Sequence, residues 1–333
     1  MKKIGILFGG SGYIGYFLVQ KLVEENVFDQ IIIYDLQAPQ ILLNPHPKDI
    51  VSYTVGDVRE SIKIDCIDEL DHEGSWVFNL AAVHREPGHE YHEYFDTNIT
   101  GANNINAFAQ EHKIKNIFFT SSIAPYGKSL DRRVESSNLY PETAYGISKG
   151  MAELIHKNWL AEDKTRRLII VRPSVIFGPK DPGNVYRMIS SLKKGTFILP
   201  NGGNVVKAYG YVYGLAESIL FTMAKKDRLI LYNYAENPLV PLKEMVEITK
   251  SKFGYKKPTL SLSVSALSLV AKVFQVVAKL TGKKSDIHPV RVKKAGFPTN
   301  IGPQYLIENN FPFKYDYDTA LGHWRKVAPN DFN

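Results

Sequence analysis

The stretch Gly9-Gly10-Ser11-Gly12-Tyr13-Ile14-Gly15 decides the fold. It joins an apolar run, residues 4–8, to a helical pattern over residues 13–25. Two glycine spacings overlap in it, G-x-G-x-x-G from Gly10 and G-x-x-G-x-x-G from Gly9. Glycine permits a tight turn and lets backbone approach a ligand closely. The free N–H groups at the start of the following helix then face an anion, aided by the helix dipole. Glycine turns also serve simple packing, so context matters. Here the loop lies between a strand and a helix, as pyrophosphate binding requires. Asp35 ends the second apolar run, 20 residues beyond Gly15. A carboxylate at that spacing accepts hydrogen bonds from adenosine ribose hydroxyls and repels a 2′-phosphate. Loop and acid together predict a nucleotide domain that takes NAD rather than NADP.

Outward from the loop, short runs rich in Ile, Val and Phe at 4–8, 31–34, 51–55, 76–80, 117–121 and 168–171 read as strands. Helical patterns at 13–25, 99–112 and 144–161 separate some of them. Little alternation within the runs points to strands buried on both faces. The alternation of strands and helices predicts an α/β fold with a doubly wound parallel Rossmann sheet and right-handed crossovers. After Arg172 the texture changes, and Gly178-Pro179-Lys180-Asp181-Pro182-Gly183 is a loop by composition. A strand at 229–234 returns. The expectation is a nucleotide domain over 1–178 plus about 207–234. A smaller interleaved C-terminal α/β substrate domain is expected from 179–206 and 235–333.

Among 333 residues, 41 Lys and Arg against 34 Asp and Glu give a formal charge of +7. No long Lys run or Arg-rich tail gathers it, which argues against nucleic acid. Cys66 is the single cysteine, so no intrachain disulfide forms, in keeping with a reducing cytosol. The start, Met1-Lys2-Lys3-Ile4, looks like a leader, but its apolar run ends in glycines and reads as the first strand. Residues 260–280 are apolar, yet they carry serines, Lys272 and Lys279, and Lys283-Lys284 follow. They read as an amphipathic helix or pair packed on the second domain, with peripheral membrane contact as the alternative, and not as an integral span. His89 and His92 lack a supporting ligand cluster, so no catalytic metal is expected.

Tyr145 and Lys149 stand four apart in Tyr145-Gly146-Ile147-Ser148-Lys149 and share a helix face. A phenol with a pKa of about 10 is a poor base at neutral pH, but a nearby ammonium stabilises its phenolate. The pair can then exchange a proton with a substrate hydroxyl as hydride leaves or joins its carbon. Such a pair also describes an exposed helix surface. Thr120-Ser121-Ser122 at the end of the fifth strand supports the chemical reading, because ligands in open α/β sheets bind at the carboxyl ends of strands. Asp57, in Val55-Gly56-Asp57-Val58, is placed either to accept from an adenine amine or simply to make a turn.

Taken in order, these residues resemble the extended short-chain dehydrogenase/reductase family, its nucleotide-sugar epimerases, dehydratases and reductases in particular. Further matches are Asn79-Leu80-Ala81-Ala82, Asn98-Ile99-Thr100-Gly101, Ser121-Ser122-Ile123-Ala124-Pro125-Tyr126-Gly127 and Arg172-Pro173-Ser174-Val175-Ile176-Phe177-Gly178-Pro179. The resemblance runs through roughly the first two thirds of the chain. It implies that Tyr145 is the acid/base, that Lys149 holds the nicotinamide ribose, and that Ser122 is the catalytic Ser/Thr. By the same resemblance Gly9, Gly12, Tyr13, Ile14, Gly15, Asp35, Asp57, Val58, Leu80, Ala81, Ala82, Asn98 and Pro173 line the cofactor. It also implies a homodimer built through helices that include the one bearing Tyr145.

Two departures refine the expected reaction. The family's 4,6-dehydratases place Asp-Glu after the catalytic Ser/Thr, whereas Ile123-Ala124 here can neither give nor take a proton. Many relatives that act on sugar nucleotides carry an Asn where this chain has Val175. Asn184, Lys207 and Arg291 are candidates to compensate, Lys207 as a point charge for a diphosphate. His84, after Ala81-Ala82-Val83, is a secondary candidate at the mouth of the site. The expected enzyme is an NAD-dependent nucleotide-sugar epimerase, a 4-epimerase passing through a transient 4-keto sugar. The alternatives are a keto-sugar reductase or sugar dehydrogenase with net redox, and a non-catalytic NAD-binding regulator.

Overall fold

The structure is a computed structural model that describes residues 1–38, 42–65, 67, 69–86, 88–269 and 297–332. Arg291, Cys66 and the second half of the 260–280 stretch lie outside the described residues.

Seven parallel strands form the main sheet: β1 (Ile4–Phe8), β2 (Gln30–Asp35), β3 (Val51–Val55), β4 (Trp76–Asn79), β5 (Asn116–Thr120), β6 (Arg167–Pro173) and, as its last strand, β10 (Leu229–Tyr234). Their order is β10-β6-β5-β4-β1-β2-β3. The chain reverses direction across the sheet on either side of β1, and a crevice for ligands opens at such a switch point. Register aligns the carboxyl ends: Phe8 pairs with Tyr34 and Asn79, Thr120 with Val171, and Pro173 with Tyr234. The glycine loop, Asp35, Leu80 to Ala82, Ser122 and Pro173 all stand at or just beyond this rim.

Alternate strand residues feed two cores. Ile6, Phe8, Val77, Ile117 and Phe119 pack on one face with Ile105, Phe108 and Trp159. Leu7, Phe78, Phe118 and Val171 pack on the other with Leu18, Leu22, Leu215 and Ile219. The helices covering these faces are α1 (Tyr13–Glu24), α3 (Gly101–Glu111), α4 (Ala144–Glu162) and α6 (Val212–Met223). The edge strand β3 departs from the expectation of burial on both faces. It has one strand neighbour, and Val55 is 69 % exposed.

The expected helix over 99–112 is composite. A short α2 (Tyr91–Phe95) runs through a wide π-type turn, Asp96–Thr100, into α3. Beyond β6, β7 (Val175–Phe177) pairs with β9 (Tyr209–Tyr211), and β8 (Ile198–Pro200) with β11 (Leu260–Leu262). Helices α5 (Asn184–Lys194), α7 (Leu242–Phe253) and α9 (Tyr317–Val327) close a third core around Phe177, Met188, Met245 and Trp324. Between them α8 (Gln304–Glu308) returns Leu306 to the main sheet.

Candidate active site

The glycine loop is shaped by close backbone packing. Gly9 has φ +77°, and a Cβ there would stand 2.5 Å from the Ala81 amide nitrogen. A Cβ on Gly15 would meet the Gly10 carbonyl oxygen at 2.4 Å, so only glycine lets α1 start this close to β1. Gly12 is the N-cap of α1 and supplies no side-chain cap, which leaves the first-turn N–H groups open to a ligand. Asp35 closes the loop from the side. Its Oδ2 accepts from the Ser11 amide at 2.9 Å and its Oδ1 from the Leu36 amide at 2.7 Å. The structure thus brings the glycine loop together with Asp35 and with Leu80 and Ala81, whereas the Tyr13 ring turns away to pack on Phe17 and Val212. A bare cradle of glycine backbone, open helix donors and an acid at the strand end suits a dinucleotide. Asp57 is more committed. Arg59 Nε donates to both its oxygens at 3.0 and 2.9 Å and holds the carboxyl below its usual range. Val58 is buried beside Gly101.

Thr143 starts α4 by accepting from the Gly146 amide at 3.1 Å. Tyr145 therefore sits in the first turn and Lys149 one turn deeper. Burial pushes the Tyr145 phenol up, and a hydrogen bond from the Ser122 side chain pulls it back. Lys149 is 2 % exposed, and its Nζ donates to the Thr120 carbonyl at 2.8 Å and lies 4.7 Å from the centre of the Phe119 ring. Burial pushes its pKa down to about 7, against an opposite pull from Glu153. Ser122, at the carboxyl end of β5, accepts from the Ala124 amide at 3.1 Å. Pro173 is buried at the end of β6, and its carbonyl accepts from the Ile123 amide.

Asn98 explains the π-type turn. Its Oδ1 accepts from the Val83 amide at 3.0 Å, and its Nδ2 donates to the Val83 carbonyl at 3.2 Å and to Ser148 Oγ at 2.9 Å. Ser148 in turn donates to the Tyr145 carbonyl at 3.0 Å. One buried amide therefore ties the loop after β4 to the helix that carries Tyr145 and Lys149. Wide turns of this kind recur at functional sites.

A cavity of about 110 Å³ begins directly beyond Ser122, lined by Ile123, Ala124, Asp131, Arg133, Thr299 and Asn300. Lys207 bridges to Thr299 across this wall. Its Nζ donates to the Phe297 carbonyl, and burial pushes its pKa down to about 8. Val175 is committed to the β7–β9 pair, opposite Tyr209. His84 is exposed after Ala82 and near enough to Lys149 for their charges to repel. Asn184 is exposed at the first residue of α5.

Sequence reasoning passed over Tyr94, whose ring centre lies 6.4 Å from that of Tyr145. It also passed over Glu153, four residues beyond Lys149, and the role of Arg172. The signal for the latter was an arginine inside an apolar strand, since buried arginines need partners.

A glycine cradle for a dinucleotide, set beside a serine, a tyrosine and a lysine at the carboxyl rim of a parallel sheet, defines a nucleotide-dependent enzyme that moves hydride and proton together. The profile of the NAD dependent epimerase/dehydratase family matches residues 6–234. The chain is 31 % identical, over 318 residues, to N-acetyl-alpha-D-glucosaminyl-diphospho-ditrans,octacis-undecaprenol 4-epimerase of Escherichia coli O157:H7, covering 95 % of this chain and 92 % of that one. Among solved structures, UDP-glucose 4-epimerase with UDP-glucose from Thermotoga maritima superposes with a TM-score of 0.71 at 18 % identity, over 97 % of this chain and 99 % of that one. MoeE5 in complex with UDP-glucose and NAD gives 0.71 at 18 % identity, covering 99 % of both chains. These two likenesses establish the fold. The chain belongs to the NAD dependent epimerase/dehydratase family, of the extended short-chain dehydrogenase type, and its cofactor is NAD.

Proposed function

We propose that this enzyme is a 4-epimerase acting on a sugar held through a diphosphate. The observation that carries the reading is the convergence of Ser122, Tyr145 and Lys149 beside the glycine cradle, with only Ile123 and Ala124 on the next two positions. NAD held in the glycine cradle would supply an acceptor, and then a donor, of the hydride on the reacting sugar carbon. Tyr145 takes the proton from the hydroxyl on that carbon and later returns it. Lys149 stabilises the phenolate by charge and orients the nicotinamide ribose. Ser122 donates a hydrogen bond to the reacting oxygen. Because Ile123 and Ala124 transfer no protons, chemistry stops at one carbon and no water is expelled. The sugar would turn between the two hydride transfers and present its other face, so the reaction is redox-neutral overall. Gly9, Gly12, Tyr13, Ile14, Gly15, Asp35, Asp57, Val58, Leu80, Ala81, Ala82, Asn98 and Pro173 would line the cofactor. Lys207 would meet the diphosphate, with His84, Asn184 and Arg291 as further contacts. Residues 1–178 with about 207–234 would bind NAD, and 179–206 with 235–333 the substrate.

For the carrier we favour a polyprenol over a nucleoside. The relative from Escherichia coli O157:H7 is named for such a lipid-linked substrate. This chain has nine Lys and Arg against one Asp between 255 and 296, separated by apolar stretches. Leu260, Leu262 and Leu269 are exposed there, with Lys256 and Lys257 exposed beside them. Basic residues interleaved with exposed leucines suit the surface of an anionic bilayer. No helix among the described residues is long and apolar enough to cross a membrane, and the contact we propose is peripheral. We also propose a homodimer through α4, where Met151 and Leu154 are exposed, Leu154 by 60 %.

The test supplies purified protein and NAD with either N-acetylglucosaminyl-diphospho-polyprenol or UDP-N-acetylglucosamine and measures the C4 epimer formed. Turnover of the lipid-linked sugar without net NADH is the expected result. Turnover of the UDP-sugar alone overturns the carrier, and NADH accumulating in step with product overturns the epimerase.

A further inference from the structure

Beneath the reacting rim lies a buried polar network that the chemistry above does not use. The Glu153 side chain is 1 % exposed and the Arg172 side chain 3 %. Arg172 Nε and Nη2 each donate to a Glu153 oxygen, at 2.8 and 2.6 Å. Arg172 Nη1 donates to the Tyr126 hydroxyl at 2.9 Å, and that hydroxyl donates to Asn233 Oδ1 at 2.8 Å. Ser121 Oγ donates to Glu153 at 2.6 Å. The network therefore joins the ends of β5, β6 and β10 to α4 directly below Ser122 and Lys149.

Stability alone is a weak reason for such a pair. Desolvating two ions offsets most of their attraction, and apolar replacements often match or exceed them. Position supplies a better reason. Lys149 and Glu153 are one helical turn apart, and the fork of Arg172 fixes the direction of the carboxylate. We propose that Glu153, clamped by Arg172, is a positioning residue that keeps the Lys149 ammonium charged and aimed, and holds Ser122 in place through Ser121.

The other charges around Lys149 do not substitute for it. On α4, Tyr145 is the group being activated, and burial pushes His156 down to about 3, so it stays neutral. Burial and the neighbouring cations push the His84 imidazole down, so it carries no negative charge to the ammonium, and Lys157 lies 4.0 Å from Glu153. Arg172 itself is a cation. Glu86, on the loop after β4, acts on Tyr145 and pushes its phenol up, whereas Glu153 is the carboxylate that pulls on Lys149, in a setting where charges are poorly screened.

This inference rests on Tyr145 being the acid/base, so the test reads Tyr145 without any substrate. The phenolate is followed by ultraviolet difference titration of the NAD-bound protein against the Tyr145→Phe protein. Glu153→Gln should raise the Tyr145 midpoint by about one pH unit, a tenfold loss of phenolate at fixed pH. Glu153→Asp, which keeps the charge, should leave it near the parent value. The double variant Glu153→Met/Arg172→Met removes both charges, keeps the volume apolar, and should raise the midpoint above that of Glu153→Asp but by less than Glu153→Gln does. If Glu153→Gln fails to fold, the ordering of the other two still decides. Midpoints unmoved by loss of charge overturn the proposal and leave the pair a purely structural brace. Failure of the epimerase reading would appear elsewhere, as parent protein that titrates normally yet turns over no sugar.

Discussion

The two sides of the active site are made of different material. On the cofactor side, shape comes from backbone: Gly9 presses on Ala81, Gly15 on the Gly10 carbonyl, and the donors at the start of α1 are main-chain amides. On the side proposed for the substrate, the wall is assembled from connecting segments far apart in sequence: Asp131 and Arg133 before α4, Lys207 before β9, and Thr299 and Asn300 before α8. A backbone cradle recognises a feature common to every dinucleotide and leaves little to vary. A side-chain wall can be re-cut one residue at a time without disturbing the sheet. The difference lets one scaffold keep its cofactor while its sugar and carrier change.

The sharpest way to test this contrast is at the border between the sides. Tyr145→Phe should lower turnover by about 10²- to 10⁴-fold while NAD affinity, measured by calorimetry, changes little. Next in size is Gly9→Ala. Its Cβ would stand 2.5 Å from a backbone nitrogen at φ +77°, so the loop must move. The expected outcome is NAD binding weakened at least about tenfold and a stability loss of about 1–3 kcal/mol in thermal unfolding. Asp35→Ser should be milder, narrowing the preference for NAD over NADP in a competition assay by removing the charge that repels a 2′-phosphate. Lys207→Ala should leave NAD binding intact and raise the KM for the diphosphate-linked sugar several-fold, which would confirm that the two walls vary independently. A loss of NAD affinity in Lys207→Ala would break the comparison.

A pH dependence follows from Lys149. Its folded pKa of about 7 lies below the ordinary lysine value of 10.5. The unfolded chain then binds more protons between those values, so the cofactor-free protein gains stability as pH rises through that window. The penalty for burying the ammonium is complete below about pH 7 and absent above 10.5. Melting temperatures from pH 7 to 10 should show the rise, and Lys149→Met should flatten it.

The same contrast governs how much could be read from the sequence. The glycine loop, Asp35 and the Tyr145–Lys149 pair are short-range features whose spacing carries their geometry. Strand β10 matched its apolar run, 229–234, most of which is buried. The π-type turn at Asp96–Thr100 was not visible; within it Asn98 bonds to Val83, 15 residues away in sequence. The cavity wall was invisible for a similar reason, joining Ile123 and Arg133 to Asn300. Tyr126 and Asn233 meet across 107 positions, and no periodicity announces such a contact.

Strand β10 also has a bearing on how the protein is made. It is the outermost strand of the sheet, yet it follows α5, β8 and β9 in the chain. A ribosome must release residues through Tyr234 before the sheet can be completed, and at about 5–20 residues per second that takes at least about ten seconds. Until then β6 presents an open parallel edge, able to pair with another nascent chain. The interleaving that anchors Asn233 under the active site therefore makes the enzyme a poor donor of transplantable modules. It also makes the newborn chain a natural client for chaperones.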